Sequence, residues 1–307
     1  MTDILSSMLI SVVGAGTPLI LAATGELVAE KSGVLNLGIE GMMLVGAIAA
    51  FAVAHNTGNL PLAVLCAVIA GVLMSVIFGF LSLTMQANQT ATGLALTIFG
   101  TGLSALLGAG YVGIAGPTLP PLDIPGLSQL PFVGRVLFGY DALVYFAFIL
   151  LGAVAWFLAR TRWGLIVRAV GDAQDAAHAI GYKVIAIRYA ATLFGGATAG
   201  LAGAYMSLSY SPMWAQGMTA GRGWVALALV VFAAWRPFWV LIGAWFFGGL
   251  MYLSLYVQGI GIPIPSPFVA ALPYLGTVVV LVLNSRDRRR IRLHRPAMLG
   301  RPFRQTV

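Results

Sequence analysis

Residues 25–46 read GELVAEKSGVLNLGIEGMMLVG and carry Glu26, Glu30, Asn36 and Glu40 around the start of a long apolar run. Carboxylates inside a membrane are costly and tend to face a cavity or a partner. Asn36 and Glu40 stand four residues apart, so on one helix they share a face. Two roles stay open for these side chains. One is structural or gating, with Glu40 held by the positive end of its helix, and the other is a place on a solute path.

Apolar runs like this one make up most of the chain. Of its 307 residues, 60% are hydrophobic and 8% are charged, whereas a soluble domain is about one-quarter charged. A soluble protein with so few charged residues would expose too much apolar surface to stay monomeric, which excludes a cytosolic enzyme. Since a span needs about 20 apolar residues, we predict an all-α polytopic transmembrane bundle of about nine spans, within a range of eight to ten. The predicted spans are 4–24, 34–55, 60–86, 90–110, 141–160, 189–210, 223–235, 237–258 and 268–284.

The run 223–235 is too short to cross alone, so we expect a broken or tilted helix, or one that continues from the loop before it. Orientation follows from the Lys and Arg residues of the loops. With segment 160–188 and the basic tail in the cytoplasm, only Arg135 and Arg222 of the 17 Lys and Arg residues fall outside. The sequence therefore predicts an N-terminus outside and a C-terminus inside.

This pattern predicts one membrane domain without a separate soluble domain. Residues 1–284 form the transmembrane permease domain, with a cytoplasmic loop at 161–184. Residues 285–307 form a basic cytoplasmic tail that we expect to be disordered. The outer segment 111–140 is rich in proline, which resists helix, so we expect a structured cap or a re-entrant piece. We expect a multi-pass protein of the plasma (inner) membrane.

The cytoplasmic loop reads TRWGLIVRAVGDAQDAAHAIGYKV, residues 161–184. Asp172 is a suitable N-cap and Gly181 a suitable C′ residue for a short helix between them. Its small residues form a smooth face. Two interpretations stay open from the pattern: a helix that docks into a groove on another protein, or a helix that lies on the membrane surface.

Residues 88–93 read NQTATG and precede another apolar run. Polar side chains beside a glycine indicate a non-ideal helix near membrane depth, which is tolerated where it borders protein or water. A plain cytoplasmic turn fits the pattern equally well. The predicted polar contacts of a solute path are Asn36, Glu40, Asn88, Gln89 and Thr92.

The residue patterns of catalysis are absent from the sequence. His55, His178 and His294 fall in separate loops and the tail, and there is neither a metal-ligand cluster nor a G-x-S-x-G. Residues 33–38 have the glycine spacing of a P-loop, but they lack the Lys and Ser/Thr that bind phosphate and Mg²⁺. We therefore expect no catalytic residue, metal or cofactor in this chain. Its basic residues line no soluble face, so we also expect no nucleic acid.

Four stretches together resemble the membrane permease subunits of ABC importers, in the branched-chain amino acid/ribose permease superfamily and its nucleoside and simple-sugar branch. They are residues 25–47, 87–108, 161–184 and 221–232, in family order. LNLGIEGMML is fairly specific for the nucleoside-type branch, whereas RAVGDAQDAAHAIG marks the wider superfamily. Related chains often carry Asn near 173 or 174, where this chain has Ala173 and Gln174.

The resemblance implies an importer with a second, different permease chain, a cytoplasmic ABC ATPase that binds the ATP, and an extracytoplasmic solute-binding protein. It implies a transport subunit in a lipid bilayer rather than an enzyme, and nucleosides as the solute. Simple sugars, branched-chain amino acids and an ion-coupled secondary transporter are the alternatives. In this family the loop like 161–184 contacts the ATPase. The residues to which the resemblance gives this coupling role are Gly171, Asp172, Ala176, Ala177 and Gly181.

Overall fold

A computed structural model describes residues 2–122, 133–259, 265–285 and 294–304. Within these ranges the chain is helical and contains no β-strand. The helices are α1 (Thr2–Lys31), α2 (Ile39–Thr57), α3 (Leu60–Gly79), α4 (Gln89–Gly108), α5 (Val133–Phe138), α6 (Ala142–Arg160), α7 (Arg162–Asp172), α8 (Gln174–Ala179), α9 (Val184–Tyr205), α10 (Arg222–Phe232), α11 (Pro237–Gly259), α12 (Ser266–Ala270) and α13 (Leu272–Ser285). The all-α prediction is confirmed.

Seven helices of the described chain are long and apolar enough to cross a bilayer. They are α1, α2, α3, α4, α6, α9 and α11, and each overlaps a predicted span. Single π-helical turns, Phe80–Thr84 and Met206–Tyr210, lengthen α3 and α9. The shorter α10 and α13 fall on the two remaining predicted spans. The count of nine spans and the orientation stay predictions.

The centre of the bundle is α9, which packs against α1, α2 and α3. Glycines bring the backbones close together. A side-chain carbon at Gly200 would overlap the carbonyl oxygen of Ala67, and one at Gly71 would overlap the carbonyl oxygen of Gly196. Small residues are the usual means by which membrane helices approach each other closely. These contacts therefore fix α3 against α9.

The first helix is longer than predicted. The predicted span ends at residue 24, before two carboxylates, yet α1 continues to Lys31. Glu26 and Glu30 are buried, and each accepts a hydrogen bond, from the Asn36 backbone N–H and the Trp235 indole respectively. Because these donors come from outside α1, the sequence near residue 24 could not show that the helix goes on.

The two ends of the bundle differ. One end, which we call the α8 end, carries α7, α8, the α1–α2 turn and residues 294–304. At the other end the N–H of Gly116 donates to the carbonyl of Pro212, and the N–H of Leu119 donates to that of Leu208. The first part of the proline-rich segment is therefore tied to the chain after α9. Its residues 123–132 lie outside the described residues.

The helix α10 begins partway through the bundle. The non-helical segment before it packs Trp214 beside Phe51 near the end of α2, whereas Gly221 contacts Glu40 near the start of α2. On a helix, positions 40 and 51 are about 16 Å apart along the axis. The segment thus runs along α2 before α10 starts. The hydroxyl of Tyr274 on α13 donates to Ala220 at the same depth.

Candidate functional site

Glu40 holds the start of α10 against α2. One carboxylate oxygen, Oε1, accepts from the Thr219 hydroxyl at 2.6 Å and the Gly221 N–H at 2.8 Å, and Oε2 accepts from the Gly223 N–H at 2.6 Å. The carboxylate therefore lies at the N-terminus of α10, where the helix dipole favours a negative charge. We call Glu40, Thr219, Gly221 and Gly223 the α10 lock. The Glu40 residue as a whole is 7% exposed, and protein donors occupy both of its carboxylate oxygens.

Asn36 lies outside the helix on which the sequence places it. Because α2 begins at Ile39, Asn36 belongs to the preceding turn, and the prediction that it shares a helix face with Glu40 is wrong. Its side-chain oxygen accepts from the Gly38 N–H at 2.9 Å, which closes the turn locally. Its own N–H donates to Glu26 at 3.2 Å. Asn36 thus shapes the α1–α2 turn over the buried end of α1.

The other three predicted path residues lie at the start of α4. Asn88 is exposed and caps this helix, accepting from the Ala91 N–H at 3.0 Å. Gln89 is buried, and its oxygen accepts from the Leu35 N–H at 2.9 Å. Its amide nitrogen has no hydrogen-bond partner among the described residues. Thr92 is buried one turn further on. Gln89 therefore contacts the α1–α2 turn that contains Asn36, whereas Glu40 faces α10 and Asn88 is exposed.

Residues 161–184, the loop predicted to be cytoplasmic, contain two helices, α7 and α8. Asp172 is the last residue of α7, and Ala173 precedes α8 without a capping side chain. The prediction that Asp172 caps the short helix is therefore wrong, since α7 uses this residue to extend its last turn. Gly181 has a φ of +95° just beyond α8, and its N–H donates to the carbonyl of His178. This position is the left-handed C′ site that the sequence predicts.

The five coupling candidates divide into two groups. Asp172, Ala176 and Gly181 are exposed, and we call these three residues the α8 face. Ala177 is buried, in a cluster with Val170, Val184 and Phe303. Gly171 is also buried, and a side-chain carbon there would overlap the carbonyl oxygen of Lys31. The first group can contact a partner, whereas the second holds α7 and α8 in place.

The C-terminal tail is folded where the structure describes it. Residues 294–304, which we call the tail strap, run across the α8 end. The N–H of Met298 donates to the Gly171 carbonyl at 2.8 Å, and the N–H of Gly300 donates to the Gly33 carbonyl at 3.0 Å. Disorder is therefore a wrong prediction for this part of the tail, because its backbone N–H groups pair with carbonyl groups of the bundle.

Arg188 is the functional candidate that sequence reasoning missed. It is 1% exposed near the start of α9. Its guanidinium donates to the Ser32 carbonyl at 3.2 Å, the Arg301 carbonyl at 3.0 Å and the Gln174 side-chain oxygen at 2.8 Å. The sequence presents Arg188 only as one basic residue of a cytoplasmic loop. Its acceptors come from three separate segments, so no local pattern marks it.

The bundle has an apolar outer surface. Large side chains of α3, α4 and α6 point away from the core, among them Leu73, Ile98, Leu106 and Ile149, which are 59–75% exposed. This surface suits lipid or apolar helices of another chain.

Among the described residues, no group of three His, Cys, Asp or Glu side chains is placed to hold a metal ion.

Comparison with known proteins assigns these features to a family. Residues 8–283 match the family described as "Branched-chain amino acid transport system / permease component". The "Putative glucose ABC transporter permease protein TsgC13" of Haloferax volcanii is 39% identical, over 96% of each chain. The "Guanosine ABC transporter permease protein NupQ" of Bacillus subtilis is 31% identical, over 91% of this chain and 92% of that one. The "Nucleoside ABC transporter permease protein NupC" of Lactococcus lactis is 30% identical, over 87% and 88%.

Proposed function

The chain belongs to the family of branched-chain amino acid transport permease components, and from that premise we propose that it is the permease subunit of an ATP-driven importer for nucleosides. The observation that carries the nucleoside assignment is the pair of relatives named for nucleoside and guanosine transport, aligned over most of both chains. The LNLGIEGMML sequence at residues 35–44 supports the same branch. Sugar is the second candidate solute, since the relative with 39% identity is named for glucose.

The α8 face is the proposed contact for a separate cytoplasmic ATPase, which binds and hydrolyses the ATP. Asp172, Ala176 and Gly181 are exposed within one short stretch of sequence, and this stretch lies at one end of the bundle. Their small side chains let a short helix enter a groove on a partner. In this proposal the chain supplies the solute path and the moving element, and the ATPase supplies the chemistry.

Transport proceeds by switching the bundle between two states. A binding protein delivers the solute at the end opposite α8, and closure of the ATPase dimer moves α8, so that the path opens to the other side. A second permease chain of a different sequence completes the path. Among the five path residues, Gln89 has the most support, because its buried amide nitrogen lacks a partner among the described residues and can donate to a polar solute.

The test is uptake in a host that lacks its own transport. The chain is expressed with its candidate partner permease, ATPase and binding protein, and uptake of labelled nucleosides and sugars is measured in parallel. A matched control carries an ATPase whose phosphate-binding lysine is replaced. Nucleoside uptake that needs every subunit and an active ATPase is expected. Uptake of sugars alone would replace the solute, and uptake by this chain alone that follows an ion gradient would overturn the importer.

A further inference from the structure

The tail strap bridges parts of the bundle that are far apart in sequence. Its backbone donates from Met298 to Gly171 on α7 and from Gly300 to Gly33 after α1. At its start the carbonyl of His294 accepts from the Lys31 ammonium group at 2.7 Å. Three contacts thus tie the tail strap both to the end of α1 and to α7.

The strap is also anchored beside α8. Phe303 is 6% exposed within the cluster that contains Ala177, and its ring centroid lies 5.3 Å from that of His178. The side-chain nitrogen of Gln174 donates to the Pro302 carbonyl at 3.3 Å. The strap therefore follows α8 along its buried side and leaves the α8 face open.

Arg188, near the start of α9, connects the strap to the bundle from its buried side. Its guanidinium contacts Ser32 after α1, Gln174 on α8 and Arg301 on the strap at the same time. A buried guanidinium must keep its hydrogen bonds, because an unpaired buried charge is costly. Relative movement of any of the three segments breaks at least one of these bonds. Because Arg188 is on α9, only movement of α8, α1 and the strap together with the start of α9 keeps all three bonds.

The end of α1 is also hydrogen-bonded to the residues that follow α10. Glu30, on the last turn of α1, accepts from the indole of Trp235, which follows α10. Both side chains are buried. A continuous chain of hydrogen-bonded segments therefore runs from α8 through the strap and α1 to the helix that begins partway through the bundle.

We propose that the tail strap joins α8 to the end of α1 so that the two move as one body, with Arg188 as the positioning residue that holds the joint. This inference rests on the proposed function, because it takes α8 as the contact for the ATPase. Arg188 touches neither the ATPase surface nor the solute in this scheme. Its effect is on how much transport each ATP hydrolysis produces.

The test measures solute transported per ATP hydrolysed in the complete importer, reconstituted in lipid vesicles. Arg188→Gln removes the charge and the three-way contact. The ratio is expected to fall at least about fivefold, the lower range of coupling between distant sites, while hydrolysis continues. The matched control is Arg301→Gln, which removes the same charge from the strap but keeps the carbonyl that Arg188 binds. The control is expected to keep the ratio of the unaltered importer.

A purely structural role gives a different result. If Arg188 only stabilises the fold, hydrolysis and uptake fall together and the ratio stays constant, which overturns the proposal. Arg188→Lys keeps the charge but not the planar fork, so it serves where the glutamine variant assembles poorly, and a lower ratio is again expected. If the unaltered importer shows no ATP-dependent uptake of any solute, the proposed function fails rather than the strap.

A covalent tether asks whether the strap stays bound during transport. Cysteines replace His178 and Phe303 in a Cys66→Ala background and are bridged with a short bismaleimide, with the same double variant treated with a monofunctional maleimide as the control. A strap that moves with α8 keeps the control's ratio after bridging. Loss of transport on bridging would mean that the strap must leave α8 in each cycle, and the proposal would be wrong.

Discussion

The α10 lock and the α8 face both contain residues that the sequence predicted to be functional, but the two regions differ in burial and in hydrogen-bond partners. In the lock, Glu40 has protein donors on both carboxylate oxygens. On the α8 face, Asp172, Ala176 and Gly181 are exposed. The first region is closed by contacts within the chain, whereas the second is open to a partner. Loss of a lock residue should therefore reduce stability, whereas a change on the face should reduce assembly with the ATPase.

The largest expected effect breaks the lock. Glu40→Ala leaves two backbone N–H groups and a hydroxyl of residues 219–223 without their acceptor. Each buried donor left unpaired costs about 1–3 kcal/mol, so we expect a loss of about 4 kcal/mol. Thermal unfolding of the detergent-solubilised protein, monitored by size-exclusion chromatography, measures this loss of stability. Asp175→Asn, on an exposed acidic residue of α8, is the control. Lost uptake at unchanged thermal stability would place Glu40 on the solute path instead.

The next pair of variants divides α8 into its two sides. Ala176→Asp and Ala177→Asp make the same chemical change at adjacent positions, one exposed and one buried. Burial of an unpaired charge at 177 is expected to cost about 3 kcal/mol. The change at 176 is expected to leave stability within about 0.5 kcal/mol but to abolish copurification of the ATPase. Normal copurification with the 176 variant would mean that the α8 face is not the docking surface.

Two glycine variants sharpen the division between buried and exposed coupling residues. Gly171→Ala drives a methyl group into the carbonyl of Lys31, and such overpacking costs about 2 kcal/mol. Among the described residues, Gly181→Ala meets no atom within 4 Å, and its left-handed φ opposes the change at about 1 kcal/mol. Unfolding temperatures of the two variants, measured side by side, test the order. Equal shifts would contradict the placement of Gly171 against α1.

The smallest effect tests a predicted path residue for a purely structural role. Asn88→Ala removes the cap of α4 and is expected to cost about 1 kcal/mol, whereas Asn88→Asp keeps the cap. Uptake and thermal stability are measured for both. If Asn88 acts only as the cap, the aspartate variant retains uptake. Loss of uptake in a stable aspartate variant would return Asn88 to the solute path.

The sequence predicted much of the fold because membrane helices are marked by local composition. All seven long helices found among the described residues overlap predicted spans, and short motifs such as residues 35–44 indicated the family. The site was less predictable, since its contacts join distant residues. Glu40 accepts a hydrogen bond from Thr219, and Arg188 donates one to Ser32. No pattern in the sequence around these residues indicates either pair. The basic composition of the tail likewise hid the fact that its backbone pairs with the bundle.

The central place of α9 has a consequence for biosynthesis. The helices α1, α2 and α3 pack on α9, yet roughly 100 residues separate the end of α3 from the start of α9. At the usual rate of about 5–20 residues per second, the ribosome needs about 5–20 s to produce them. During that interval the glycine-lined surfaces of α2 and α3 lie in the membrane without their final neighbour. The nascent chain therefore has to be shielded from wrong associations until α9 emerges.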